Sequence, residues 1–147
     1  MQSWERIVLI EAEILRVLEA ADLGVKEILF GTKVRSGKPQ TPFIQVYPDL
    51  SLIDDESLAL HEDWKLRYVI VGAVKHLDPP QGYALARKLT LQASAQFISS
   101  TVRRTLDGLC NDIVRTGFVP AYDRVTNDGT IYGAGVSIEI RFTTKEA

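Results

Sequence analysis

Residues 31–40, GTKVRSGKPQ, come nearest in type and spacing to a chemical motif. Two glycines, Gly31 and Gly37, bracket Lys33 and Arg35, and Lys38 follows, after the short apolar run VKEILF. A phosphate-binding loop needs Gly, four residues, Gly-Lys and then Ser or Thr, and its lysine must open a helix whose free N–H groups hold the phosphates. Here five residues separate Gly31 from Gly37, and Pro39 stands at the hydroxyl position. The residues beyond, PQTPFIQVYP, read as a strand. The spacing therefore argues against nucleotide binding and predicts a basic loop between two strands. Such a loop suits electrostatic docking, and it is equally compatible with a solvated hairpin tip.

The remaining reactive residue types form no constellation. His61 and His76 lie 15 positions apart without metal-ligand spacing, and read as polar residues at strand ends. Asp54, Asp55 and Glu56 lack the alternating oxygen ligands and glycine of a calcium loop, so they read as a solvated acidic stretch. Cys110 in LDGLCNDI reads as a small apolar filler. No GxSxG elbow is present. The expectation is a protein without catalytic residues, metal or cofactor.

The elements that carry these residues can be read from periodicity. Ile7, Ile10, Ile14, Val17 and Leu18 recur at helical spacing, and Gly24 marks a stop. VKEILF and TPFIQVYP read as strands, the second lying at a sheet edge or ending at the prolines that flank it. Residues 49–63 read as a long acidic connection, with or without a helical turn. WKLRYVIVGAV is the strongest strand, apolar on both faces in its second half. Asp78 and Pro79 fit the N-cap and first position of a main helix that extends to about Leu106. Leu85, Leu89, Ala93 and Phe97 form one stripe along it; Leu91, Ala95, Ile98 and Val102 form another. Both stripes could be core, or the second, with Leu91 and Ile98, could meet a partner. Two strands close the chain across the turn Asn127-Asp128-Gly129, and the last alternates Val136, Ile138, Ile140 and Phe142 with polar residues.

These elements predict a single α+β domain over residues 1–147. The expected sheet is mainly antiparallel or mixed, of about five strands, with two helices packed on it in the order α-β-β-β-α-β-β. A length of 147 residues, 46 % apolar composition and 24 % charge fit one globular domain, and a net charge of −2 gives no bulk attraction to nucleic acid or membrane. The N-terminal stretch, interrupted by Glu11, Glu13 and Glu19, does not read as a signal peptide.

The order of elements, with the strand Pro42-Phe43-Ile44-Gln45-Val46-Tyr47-Pro48, the passage from Val102 to Val114 and the terminal alternating strand, resembles the tail terminator or tail completion proteins of long-tailed bacteriophages and related viruses or proviruses. The resemblance spans nearly the whole chain. It implies a structural virion protein of the tail-neck region, assembled in the host cytoplasm. Such proteins form rings, commonly hexameric, on the head-proximal end of the tail tube. The ring ends tube growth and offers the surface that joins the head. The implied partners are further copies of the chain, the tail tube protein and the head-tail connector proteins; the family carries no catalytic residues and no cofactor. On this view Lys33, Arg35, Lys38, Asp54, Asp55, Glu56, Leu91 and Ile98 are the candidate interface residues. A small ligand-binding or regulatory α+β module acting as a homodimer is the alternative.

Overall fold

In the computed structural model, which describes residues 3–31, 40–48, 54–58, 61–126 and 129–145, two helices lie on one face of a mixed sheet. The order is α1 (Ser3–Ala20), β1 (Glu27–Phe30), β2 (Phe43–Pro48), β3 (Asp54–Leu58), β4 (His61–His76), α2 (Pro79–Ala95), α3 (Thr101–Arg104), β5 (Asp112–Thr126) and β6 (Gly129–Lys145). Across the sheet the strands run β1-β2-β4-β6-β5, with β3 paired to the start of β4. Only β1 and β2 are parallel among the described pairs. The predicted α+β class and element order hold. A sixth strand and a short third helix are added. Among the described residues, no helix is long and apolar enough to cross a membrane.

The alternation in β6 positions the core. Val136, Ile138, Ile140 and Phe142 are buried beneath the helices, opposite Ile70, Tyr68, Leu66 and Trp64 of β4. Ile44 and Val46 of β2 extend this layer, and Ile10, Ile14, Val17 and Leu18 of α1 close it. Each such aliphatic side chain contributes about 1.5–3 kcal/mol by leaving water.

Three expectations are corrected. First, the acidic stretch is no loop throughout: residues 54–58 form β3, with Asp54 opposite Lys65 and Leu58 opposite His61. DDESL has weak strand propensity, so the pairing comes from the long β4 rather than from local preference. Second, of the two readings of β2 the edge is overturned, and the strand instead ends at its prolines. β1 pairs with Phe43 to Val46 on one side and β4 with Phe43 to Pro48 on the other. Pro42 precedes the strand and Pro48 ends it, so neither removes an interior ladder bond.

Third, the main helix stops at Ala95, well short of Leu106. Serine hydroxyls compete with the backbone here: Ser94 Oγ donates to the Leu91 carbonyl (3.1 Å) and Ser99 Oγ to that of Gln96 (3.4 Å). Ser100 Oγ then accepts from the Arg103 N–H (3.2 Å), a cap that starts α3 afresh. Leu106, Asp107 and Gly108, all at positive φ, turn the chain into β5.

α2 sits close on the sheet because its buried face is made mostly of small side chains: Gly82, Ala86, Thr90, Ala93 and Ser94, with Leu89. A Cβ on Gly82 would fall 2.2 Å from the Tyr132 ring. The Thr90 hydroxyl reaches into the sheet itself. It accepts from the Gly72 N–H (2.9 Å) and donates to the Ala134 carbonyl (2.7 Å), and these two residues face each other across β4 and β6.

Candidate functional site

The residues that first suggested chemistry have structural roles where they are described. Cys110 is buried, and burial, with the charge of Asp112 adding to it, pushes its thiol up to about 12. So placed, it offers no thiolate at neutral pH. His76 Nδ1 accepts from the Asp78 N–H (2.9 Å), which orders the turn into α2. Asp78 holds the N-cap position without a side-chain capping bond, and Pro79 occupies the first helical turn. Among the described residues, no group of three His, Cys, Asp or Glu side chains is placed to hold a metal ion.

The face of the sheet away from the helices carries a charge cluster. Glu139, only 3 % exposed, accepts from Arg67 Nε directly opposite on β4 (3.1 Å) and from Arg141 Nε two residues along β6 (2.6 Å). Burial works to raise its carboxyl, but the hydrogen bonds from Arg141 and Arg67 prevail and hold it below the ordinary 4.5. The unfolded chain takes up this proton near 4.5 and the folded chain at lower pH, so the site's stabilisation is complete above 4.5 and is lost as pH falls through the folded value. Glu11 has the opposite sign. Burial raises it despite the hydrogen bond from Tyr68, so its contribution is greatest below 4.5 and fades as pH rises through the raised value. Glu139→Gln is expected to cost about 1–2 kcal/mol at neutral pH, because both arginines are partly solvated. It should also flatten the acid limb of the stability profile, measured by urea unfolding between pH 3 and 7, roughly the range that spans ordinary carboxylate titration.

Two features offer themselves for binding. One is a set of exposed apolar side chains: Trp4 and Val8 on α1, Leu91 on α2 and Val102 on α3 are 65 %, 56 %, 40 % and 61 % exposed, respectively. Phe118 and Val125 are likewise exposed on β5, the terminal strand of the sheet. The other is a groove of about 590 Å³. Leu85, Lys88, Leu89 and Gln92, at i, i+3, i+4 and i+7 on α2, form one wall. Leu23 and Lys26 leading into β1, Thr41 and Pro42 leading into β2, and Val74 and Lys75 at the end of β4 form the rest. Three lysines thus line it beside apolar side chains, and among the described residues no carboxylate does.

Of the predicted interface residues, Lys33, Arg35 and Lys38 lie outside the described residues. Asp54, Asp55 and Glu56 lie on β3. Leu91 is exposed on α2, and Ile98 is half-buried in the turn beyond it. Leu89, Ala93 and Phe97 cover the sheet as their stripe predicts, whereas Leu85 of that stripe is exposed at the groove. The groove itself escaped sequence reasoning because Lys26, Lys75 and Lys88 are far apart in the chain. The polar residues Lys88 and Gln92 beside Leu85 and Leu89 were its one local signal.

No family model matches the chain, and no curated protein sequence matches it. Among solved structures, it is similar to a chain in the virion of a native gene transfer agent particle, at 13 % identity over 87 % of this chain and 90 % of that one, with a TM-score of 0.45.

Proposed function

We propose that this chain is a structural virion-assembly protein that forms a ring on the head-proximal end of a tail tube. The ring ends tube growth and presents the head-joining surface; catalysis has no part in it. The element order that carries the sequence resemblance supports this reading. The structural observation that carries it is the set of large apolar side chains, Trp4, Val8, Leu91 and Val102, left in water by a helical layer whose core is otherwise filled. Large apolar side chains that stay in water are the candidates for cover by a partner, and the variant below tests one of them.

The direct experiment adds the purified chain to growing tail tubes and images them. Rings at one end, with tube length arrested, are the expected result; tubes that lengthen unchanged, with no density at either end, would refute the proposal. Leu91→Asp tests the apolar surface. Its monomer should unfold within about 0.5 kcal/mol of the parent, as surface substitutions do, while ring formation is lost. Global unfolding of the variant would instead show that Leu91 is needed for the fold.

The lysine-rimmed groove favours a second reading, a ligand-binding module for a small anion. That reading predicts a thermal shift that grows with the concentration of a bound anionic ligand.

A further inference from the structure

We propose that the groove between α2 and the end of β4 binds a linear amphipathic anion, an alkyl chain ending in one carboxylate. This rests on the small-anion reading above, whose ligand class it names, and not on the ring assignment. The lining divides by chemistry. Leu23, Pro42, Val74, Leu85 and Leu89 are apolar, and Lys26 and Lys88 are exposed lysines. Lys75 also lines the groove, but it already interacts within the chain, so the charge offered to a ligand is that of Lys26 and Lys88.

Each half of this lining disfavours a simpler ligand. A compact inorganic anion would meet the lysines and leave the apolar residues wet, although Leu85 is 43 % exposed and gains by being covered. A neutral hydrocarbon would cover those residues and take water from the lysines without a counter-charge. A chain with an anionic head satisfies both. Among the lining residues there is no arginine fork and no helix N-terminus, so two lysine point charges suit a singly charged carboxylate better than a phosphate. The size agrees. The volume of about 590 Å³ lies in the roughly 300–1,000 Å³ range of small-molecule sites. From Leu85 to Gln92 the α2 wall runs about 10 Å, close to the length of an extended chain of about eight carbons.

Thermal unfolding of the full chain tests this, with sodium octanoate as the probe. Octanoate should raise the unfolding midpoint progressively with concentration. Its apparent affinity should weaken about two- to fourfold for each methylene removed, through hexanoate and butanoate to acetate. Octylammonium, with the same chain and the opposite charge, should bind at least about tenfold more weakly, and added salt should weaken octanoate. Lys26→Met with Lys88→Met keeps the apolar stems and removes both charges. It should cost octanoate about five- to tenfold in affinity and leave octanol unaffected. Leu85→Asn should weaken octanoate and octanol alike. All three positions are exposed, so circular dichroism should show an intact fold in both variants.

Acetate or phosphate that stabilises as strongly as octanoate overturns the inference and leaves the small-anion reading standing. No shift with any of these anions overturns both. Octylammonium equal to octanoate, or an octanoate affinity that neither variant changes, also overturns the inference and moves the chain to exposed apolar residues elsewhere, such as Trp4 and Val8. Arrest of tube growth is read in a separate assay, so none of these results bears on the ring assignment.

Discussion

Thr90→Val will destabilise the fold by about 2–4 kcal/mol, although it barely changes side-chain volume. Thr90 is fully buried, and its hydroxyl stands between the Gly72 N–H and the Ala134 carbonyl. Valine fills the same space with a methyl group and leaves a donor and an acceptor facing apolar surface. Each buried polar group stranded in this way costs about 1–3 kcal/mol. No cavity term enters, so the loss isolates the hydroxyl. Thr90→Ser keeps the hydroxyl and should retain much of the stability, losing chiefly what the methyl group contributes. Urea unfolding of the three proteins makes the comparison. A valine variant within about 0.5 kcal/mol of the parent would mean that Gly72 and Ala134 re-pair directly once the hydroxyl is gone.

Gly82→Ala should cost about 2–3 kcal/mol, against the usual preference of helices for alanine. The new methyl carbon would lie 2.2, 2.4 and 2.7 Å from three carbons of the Tyr132 ring. That ring has little room to retreat: it is 2 % exposed and meets Tyr83 edge-on, with centroids 4.8 Å apart. Alanine gains about 1 kcal/mol in intrinsic helix preference over glycine, so the measured loss understates the clash. Tyr132→Leu in the same chain should recover part of the loss by withdrawing the ring edge. If Gly82→Ala alone raises the unfolding midpoint, α2 can shift off the sheet at negligible cost, and the close seating described above is not needed for stability.

The contrast between these two sites and the rest of the core shows what the sequence could and could not disclose. Val136, Ile138, Ile140 and Phe142 announce a strand and its buried face together, because side-chain period and burial coincide there. Ile10, Ile14, Val17 and Leu18 do the same for α1. The seat of α2 gives no such signal. Gly82, Ala86 and Thr90 recur every four residues, yet none is a large apolar residue, so a search for hydrophobic stripes passes over this close seating. β3 is hidden for a different reason: Asp54, Asp55 and Glu56 oppose strand formation locally, and only the length of β4 makes pairing available. The end of α2 at Ala95 follows from Ser94, Ser99 and Ser100 acting jointly, whereas the apolar pattern runs on through Phe97 and Val102. Of the candidate interface, Leu91 could be placed by helical spacing; the lysine groove exists only once four separate segments converge.

The inserted hydroxyl of Thr90 also decouples two events that ordinarily coincide in a sheet. A strand amide usually exchanges its proton with solvent when neighbouring strands part. The Gly72 amide is bonded to a helix residue instead, so lifting α2 should suffice to expose it while β4 and β6 stay paired. In deuterated water, Gly72 should therefore exchange ahead of its strand neighbours Ile70 and Val71, and its rate becomes a clock for the undocking of α2. Binding at Leu85, Lys88 or Gln92 on the opposite side of that helix would slow this clock, which gives an occupied groove a signature at a backbone position that the occupant never touches.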